Sequence, residues 1–335
     1  MRHLIAATRT SASVLSALSL LAVLSACGTK AANSAKADSA AANTAGASAT
    51  GGAGATVAAP FVPTRLTTTA GFSTPESVLW DAQQNVWFVS NINGSPTAKD
   101  GNGFISRLNA NGSIDSLHWA EAGKGGVVLN APKGLTIVGD TLWVADIDAV
   151  RAFDRHTGKP LGSVELGRKA HFLNDIVAGS DGTLYITDTG VEFNAKGQVS
   201  HPGPDQIFAV KDRKVSVAAT GAWLEGPNGI AWDAAANHFV VVAFTGTHIF
   251  GWNPGNPKVD TLASGPGQMD GVEPWAGGVL VTSWTDSSVF MVKDGKTSPM
   301  VKGVPSPADI GLDQARGLLA VPIFSENRVE FWSLK

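Results

Sequence analysis

The sequence holds one cysteine in 335 residues, which excludes a disulfide framework and any zinc site built on cysteine. Charged residues are scarce at 16%, against about a quarter in ordinary globular chains. Lys and Arg number 25 against 28 Asp and Glu, with no basic run, so the electrostatic footprint of nucleic-acid binding is missing. After residue 27 no apolar run approaches the roughly 18 residues of a membrane span. What is plentiful is glycine, at 38 residues, together with 10 tryptophans. Such a turn-rich, weakly charged chain favours many short strands over helices.

Residues 1–27 read as a secretory signal: Arg2 and Arg9 form a positive start, and Val14 to Leu24 form a short apolar core. Their end, Leu24-Ser25-Ala26-Cys27, resembles the bacterial lipobox, with the sole cysteine at the position that is lipidated. Acyl chains on Cys27 would anchor the protein without a transmembrane helix. Gly28 after the cysteine favours the outer membrane, facing the periplasm or the cell surface. Residues 28–59 are mostly Ala, Gly, Ser, Thr and Asn, too poor in large apolar side chains to build a core. They are expected to form a disordered tether.

The rest, residues 60–335, repeats. Six segments carry aligned strands: VWFVSN, LWVADI, LYITDT, FVVVAF, VLVTSW and LLAVPI are second strands, and FISRLN, AVRAFD, QIFAVK, HIFGWN, SVFMVK and RVEFWS are third strands. First strands begin at Pro75, Pro132, Leu173, Pro227, Met269 and Pro307, spaced 38 to 57 residues apart. Four strands per repeat of this length make a propeller blade, so the fold is all-β, a single six-bladed β-propeller. The last repeat stops after its third strand, and the segment from Thr64 to Thr68 is expected to supply the missing strand and close the ring. The tryptophans are read as packing between blades.

First strands line a propeller's central channel, so their second residues form a ring: Glu76, Lys133, Asn174, Asn228, Asp270 and Ala308. Ser77, Gly134, Asp175, Gly229, Gly271 and Asp309 follow them. Five polar groups in so enclosed a place need partners, and two carboxylates together need a cation. Two carboxylates with two amide oxygens form a hard donor set suited to Ca²⁺, with Mg²⁺, Mn²⁺ or Zn²⁺ as alternatives. Gly229 and Gly271 are expected to allow a tight backbone turn. The plainer alternative is a wet channel in which the Lys133 ammonium pairs with Glu76 or Asp270 in place of a metal.

These motifs resemble the senescence-marker-protein/gluconolactonase/luciferin-regenerating-enzyme family of six-bladed propellers. Glu76 in PESVLWD, Asn228 in GPNGIAWD and Asp270 in MDGVEP match its metal ligands, and Asn174 with Asp175 in FLNDIV matches its substrate-facing pair. The resemblance implies a metal-dependent lactonase-like hydrolase. Glu76, Asn174, Asn228 and Asp270 would hold the ion, with Asp270 as base and Asp175 beside it in the catalytic set. Asn174, Lys133 and His171 would contact a lactone or ester substrate. Phe172 stands where the family's sugar lactonases carry an Arg, which argues against a gluconolactone-type substrate unless Lys133 replaces that charge. The rival expectation is a non-catalytic scaffold binding a protein or an envelope glycan. A monomer is expected, with no nucleic-acid partner. The long loops Asn91–Gly103 and Gly190–Asp205 are expected to shape one face. The remaining histidines lack metal-like spacing, and the Gly-Lys-Thr at 295–297 is read as a strand-to-strand turn.

Overall fold

The computed structural model describes residues 62–167, 170–193, 199–256 and 259–335. The signal, Cys27 and the tether expected over 28–59 lie outside the described residues. Six four-stranded antiparallel sheets follow one another along the chain. Blade I runs from Pro75–Asp81 to Ile114–Glu121, blade II from Pro132–Val138 to Pro160–Glu165, and blade III from Leu173–Ala178 to Lys214–Thr220. Blade IV runs from Pro227–Asp233 to Asp260–Ser264, and blade V from Met269–Trp275 to Lys296–Lys302. Blade VI comprises Gly311–Asp313, Leu318–Ile323 and Arg328–Ser333, and Thr64–Ala70 completes it.

Strand polarity follows depth in the blade. The second strands VWFVSN and LLAVPI are buried at every position, whereas the fourth-strand segments KVSVAAT and KTSPMVK alternate exposed and partly covered residues. A strand enclosed on both faces must be apolar throughout, while one at a blade rim buries a single face. Two of the tryptophans make ring contacts between blades, as expected: Trp87 of blade I is fully buried against Phe331 of blade VI, and Trp252 of blade IV meets Tyr185 of blade III. Trp80 with Trp87, and Trp232 with Phe239, pack within their own blades.

The ring closes twice. At the rim, Thr64 pairs with Ser333 and Ala70 with Arg328, as expected from the sequence. At the axis, the Asp309 N–H donates to Glu76 O at 2.9 Å and the Val78 N–H to Asp309 O at 3.2 Å. The first strand of blade VI is shorter than its sequence pattern predicts. Only Gly311–Asp313 is regular strand: Pro307 bridges Ile323 and the Ala308 N–H donates to Pro322 O within blade VI, whereas Asp309 pairs with Glu76 and Val78 of blade I.

Each complete first strand carries a register shift after its first residue. Pro75 pairs with Asn91 but Val78 with Val89, so Glu76 and Ser77 together face Ser90. The same break follows Pro132, Leu173, Pro227 and Met269. These are β-bulges, which free side chains from the pleat and re-aim them. All the ring residues of blades I to V lie in them.

Gly134, Gly229 and Gly271 occupy the second bulge position, and the reason is not the tight turn expected. None of the three has a positive φ. A Cβ on Gly229 would lie 2.2 Å from Asp270 O, one on Gly134 2.4 Å from Asp175 Oδ1, and one on Gly271 2.5 Å from Ile310 N. Neighbouring blades approach too closely there for any side chain. Gly229→Ala is expected to cost about 3 kcal/mol through overpacking against backbone that cannot yield. Urea unfolding of wild type and variant checks this, and a change under 1 kcal/mol would mean that the blades can separate at the axis.

Candidate functional site: the polar channel

The bulges deliver the ring side chains into an enclosed axis. Glu76, Lys133, Asn174, Asn228 and Asp270 are all buried, as are Ser77 and Asp175. Hydroxyls opposite the bulges hold the backbone in place. Thr187 Oγ1 accepts the Asp175 N–H at 2.9 Å and donates to Asn228 O at 2.6 Å in the next blade. Thr282 Oγ1 does the same between Gly271 N (2.7 Å) and Ala308 O (3.1 Å). In blades I to III the entry to the first strand is fastened by the residue closing the second strand. Asp146 accepts the Ala131 N–H at 2.8 Å, Asp188 the Phe172 N–H at 2.8 Å, and Asn91 the Ser73 N–H at 3.1 Å.

Two carboxylates of the ring are incompletely satisfied. Glu76 Oε2 and Asp270 Oδ1 are buried without a hydrogen-bond partner. The other Asp270 oxygen, Oδ2, accepts the Trp284 indole N–H at 2.9 Å. Asn174 Nδ2 donates to Thr189 Oγ1 at 3.1 Å, which leaves its amide oxygen for the channel. Buried polar groups are nearly always paired, so orphaned carboxylate oxygens point to a missing cation or proton.

Lys133 does not fill that place. Its Nζ donates to Ala131 O at 3.3 Å and lies 4.3 Å from the centre of the Phe172 ring, and it makes no ion pair among the described residues. Burial lowers its pKa, an effect opposed by Glu76, Asp146 and Asp188. Phe172, standing where an Arg was expected in a sugar lactonase, thus stacks on the cation supplied by the neighbouring blade.

Asp175 and Asp309 sit at equivalent bulge positions and link blades. Asp175 accepts the N–H of Ile176 and, in the next blade, of Ile230, both at 2.7 Å. Asp309 Oδ2 accepts from Ser77 Oγ at 2.5 Å. Glu273 stands one turn of the pleat further along blade V and is half-buried. Burial raises all five carboxylates, and Asp309 adds repulsion to the other four. Burial, then repulsion by Asp270, lifts Glu76 well above the usual range, with Lys133 opposing. Burial, then Asp309, lifts Asp270 and Asp175, while the Trp284 N–H and the backbone amides respectively oppose. Burial pushes Asp309 to about 7, and burial with Asp309 nearby pushes Glu273 to about 8.

Among the described residues no three His, Cys, Asp or Glu side chains cluster as a metal site. A cation would therefore rest on the two carboxylates Glu76 and Asp270 together with the amide oxygens of Asn174 and Asn228, an all-oxygen set. His171 has partners of its own: its Nδ1 lies 3.0 Å from Glu192 Oε1, its backbone N–H donates to Asp188 Oδ2 at 3.0 Å, and its ring packs on Gly203. Trp284 and Glu273 were not singled out from the sequence. Trp284 had been counted with the packing tryptophans, and only its place after the second strand of blade V marks it. The Asn91–Gly103 and Gly190–Asp205 loops follow second strands too, so they leave from the face where the ring residues begin; a short hairpin, Glu192–Phe193 with Val199–Ser200, lies in the second.

Fold and site together define a six-bladed β-propeller with an acidic axial channel. Among solved structures, it is similar to a gluconolactonase from Xanthomonas campestris (TM-score 0.60, 17% identity, 79% of this chain and 88% of that one). It is also similar to virginiamycin B lyase from Staphylococcus aureus (TM-score 0.56, 14% identity, 82% of this chain and 99% of that one). A nidogen/laminin complex is matched as well (TM-score 0.54, 17% identity, 68% of this chain and 80% of that one). At these identities the likeness establishes the propeller fold. No protein-family model and no curated protein matches the chain.

Proposed function

We propose that this protein is a metal-dependent, lactonase-like hydrolase acting in the channel on a small lactone or ester. The observation that carries this reading is the pair of orphaned, buried carboxylate oxygens, Glu76 Oε2 and Asp270 Oδ1, beside two amide side chains. Glu76, Asn174, Asn228 and Asp270 would hold the ion, Ca²⁺ by its donor chemistry. When bound, the ion would polarise the substrate carbonyl. The similar gluconolactonase gives the reaction class, and the similar lyase keeps elimination as the outcome to be excluded.

In this reading Asp270 takes the proton from water, its other oxygen fixed by Trp284 so that only Oδ1 faces the channel. The water oxygen bonds to the carbonyl carbon, the carbon–oxygen bond to the leaving alkoxide breaks, and the proton passes to that alkoxide. The net change is addition of one water to give a hydroxy acid. Asp175, with both oxygens on backbone amides, positions blade IV and with it Asn228. Lys133 supplies positive potential toward the developing oxyanion. A panel of lactones and esters, assayed with chelator and after Ca²⁺ return, tests the reading. Metal-restored hydrolysis lost in Asp270→Asn is expected; metal-independent turnover, or an unsaturated elimination product, would overturn it.

A non-catalytic scaffold is less well supported. The large hydrophobics that are exposed among the described residues are Val62, Leu66, Ile114, Val128, Leu161 and Val217, with no aromatic patch. The lipid anchor belongs to the same proposal. Cys27→Ser is expected to move the protein from the detergent phase to the aqueous phase in phase partitioning of cell-envelope extracts, and unchanged partitioning would exclude Cys27 as the anchor.

A further inference from the structure

The residue immediately after each second strand surrounds the channel mouth. In chain order these are Ile92, Ile147, Thr189, Phe244, Trp284 and Phe324. Their equivalence is visible in the backbone. The N–H of Ile92, Thr189, Phe244, Trp284 and Phe324 each donates to the residue just before its own first strand or bridge, namely Thr74, Phe172, Gly226, Gln268 and Ser306. Since the first strands begin there with the ring residues next in line, this collar sits directly over Glu76 and Asp270.

Five of the six collar residues are apolar, and these five are in contact. Trp284 lies 5.9 Å from Phe244 and 5.2 Å from Phe324 between ring centres, and Phe324 packs on the cluster of Ile92, Ala131 and Ile147. The three aromatics are half-buried, so none of them is fully absorbed in the core. Ile147 has φ of 56°, a left-handed conformation that a β-branched residue adopts only under constraint. An apolar side chain is kept there despite that strain.

The two hydrogen-bonding side chains of the collar are already engaged: the Trp284 N–H by Asp270, and the Thr189 hydroxyl by donating to Pro227 O while accepting from Asn174. A polyhydroxylated sugar ring held at this level would lose water without gaining partners from the collar's side chains. An aromatic ring would instead exchange water for the faces of Phe244, Trp284 and Phe324.

We infer that the mouth is a specificity collar, selecting lactones or esters that carry an aromatic or similarly bulky apolar group over sugar lactones. This rests on the hydrolase reading above and names its substrate class. The test uses stable lactams, whose binding needs no turnover: δ-valerolactam and its phenyl-substituted derivative, titrated calorimetrically into the full chain with Ca²⁺. The phenyl derivative is expected to bind roughly 10- to 100-fold more tightly, the worth of burying one ring. Phe244→Ala and Phe324→Ala are each expected to erase most of that preference, and Phe244→Leu, which keeps the packing, to erase less. Taking the ratio of two ligands within each variant separates specificity from damage to the fold. Equal or undetectable binding of both lactams by wild type, or a preference surviving both alanine substitutions, would overturn the collar. If phenyl-lactam binds as expected but the phenyl-lactone is not hydrolysed, the hydrolase reading falls and the collar stands. If gluconolactone is hydrolysed faster than the phenyl-lactone, the reverse holds.

Discussion

Calcium returned to chelated protein at about 100 times its dissociation constant is expected to raise the melting temperature of wild type by roughly 5–10 °C, the effect of about 2.7 kcal/mol of binding linkage. Asp270→Asn and Glu76→Gln are expected to show almost none of that gain. Without metal the order reverses at alkaline pH. Glu76 and Asp270 each carry an orphaned oxygen and repel one another across a buried axis, so neutralising either relieves the chelated protein. Asparagine at 270 still accepts the Trp284 indole through its amide oxygen, so this comparison changes charge with little change in packing. Differential scanning calorimetry with and without Ca²⁺ on wild type and both variants checks the pattern. Wild type indifferent to every divalent ion, with both variants less stable throughout, would show that the carboxylates are held by protons and structure alone.

Glu273→Gln is expected to stabilise the protein at pH 8.5 and to change little at pH 5. Folding lifts this carboxyl from 4.5 to about 8, burial being the main cause and Asp309 the second. The folded state therefore binds the proton more tightly than the unfolded chain. Stability is fullest below the unfolded value and is lost as pH rises from about 4.5 towards 8. With partial exposure of Glu273 taken into account, the loss is about 2–4 kcal/mol, or roughly 5–10 °C. Glutamine keeps the shape and abolishes the titration, so the difference in melting temperature between variant and wild type should grow across that window. A constant difference from pH 5 to 8.5 would show that Glu273 ionises freely toward channel water.

Much of the site could be read from the chain because a propeller repeats. Pro-Glu-Ser, Pro-Asn-Gly and Met-Asp-Gly recur at the start of first strands, so aligning the strands also aligns the channel residues. Reading depth was harder. Glycines 229 and 271 looked like turn residues, yet their role, shared with Gly134, is to clear space for the backbone or side chain of the next blade, a contact between residues some 40 positions apart. Trp284 looked like one packing tryptophan among ten, and its bond to Asp270 joins two strands of one blade across a bulge. His171 lay near the substrate pair in sequence, and its contact with Glu192, 21 residues on, depends on how the Gly190–Asp205 loop folds back.

The sequence by itself determined the four-stranded repeat, the number of blades, the closing segment at Thr64 and which residues start the first strands. These depend on hydrophobic alternation and on turn residues, which are local. The tertiary structure alone decided where charge is left uncompensated, where a β-carbon cannot fit and which side chains meet over the channel. Those depend on the distance between blades, and that distance is set by the closure of the whole ring.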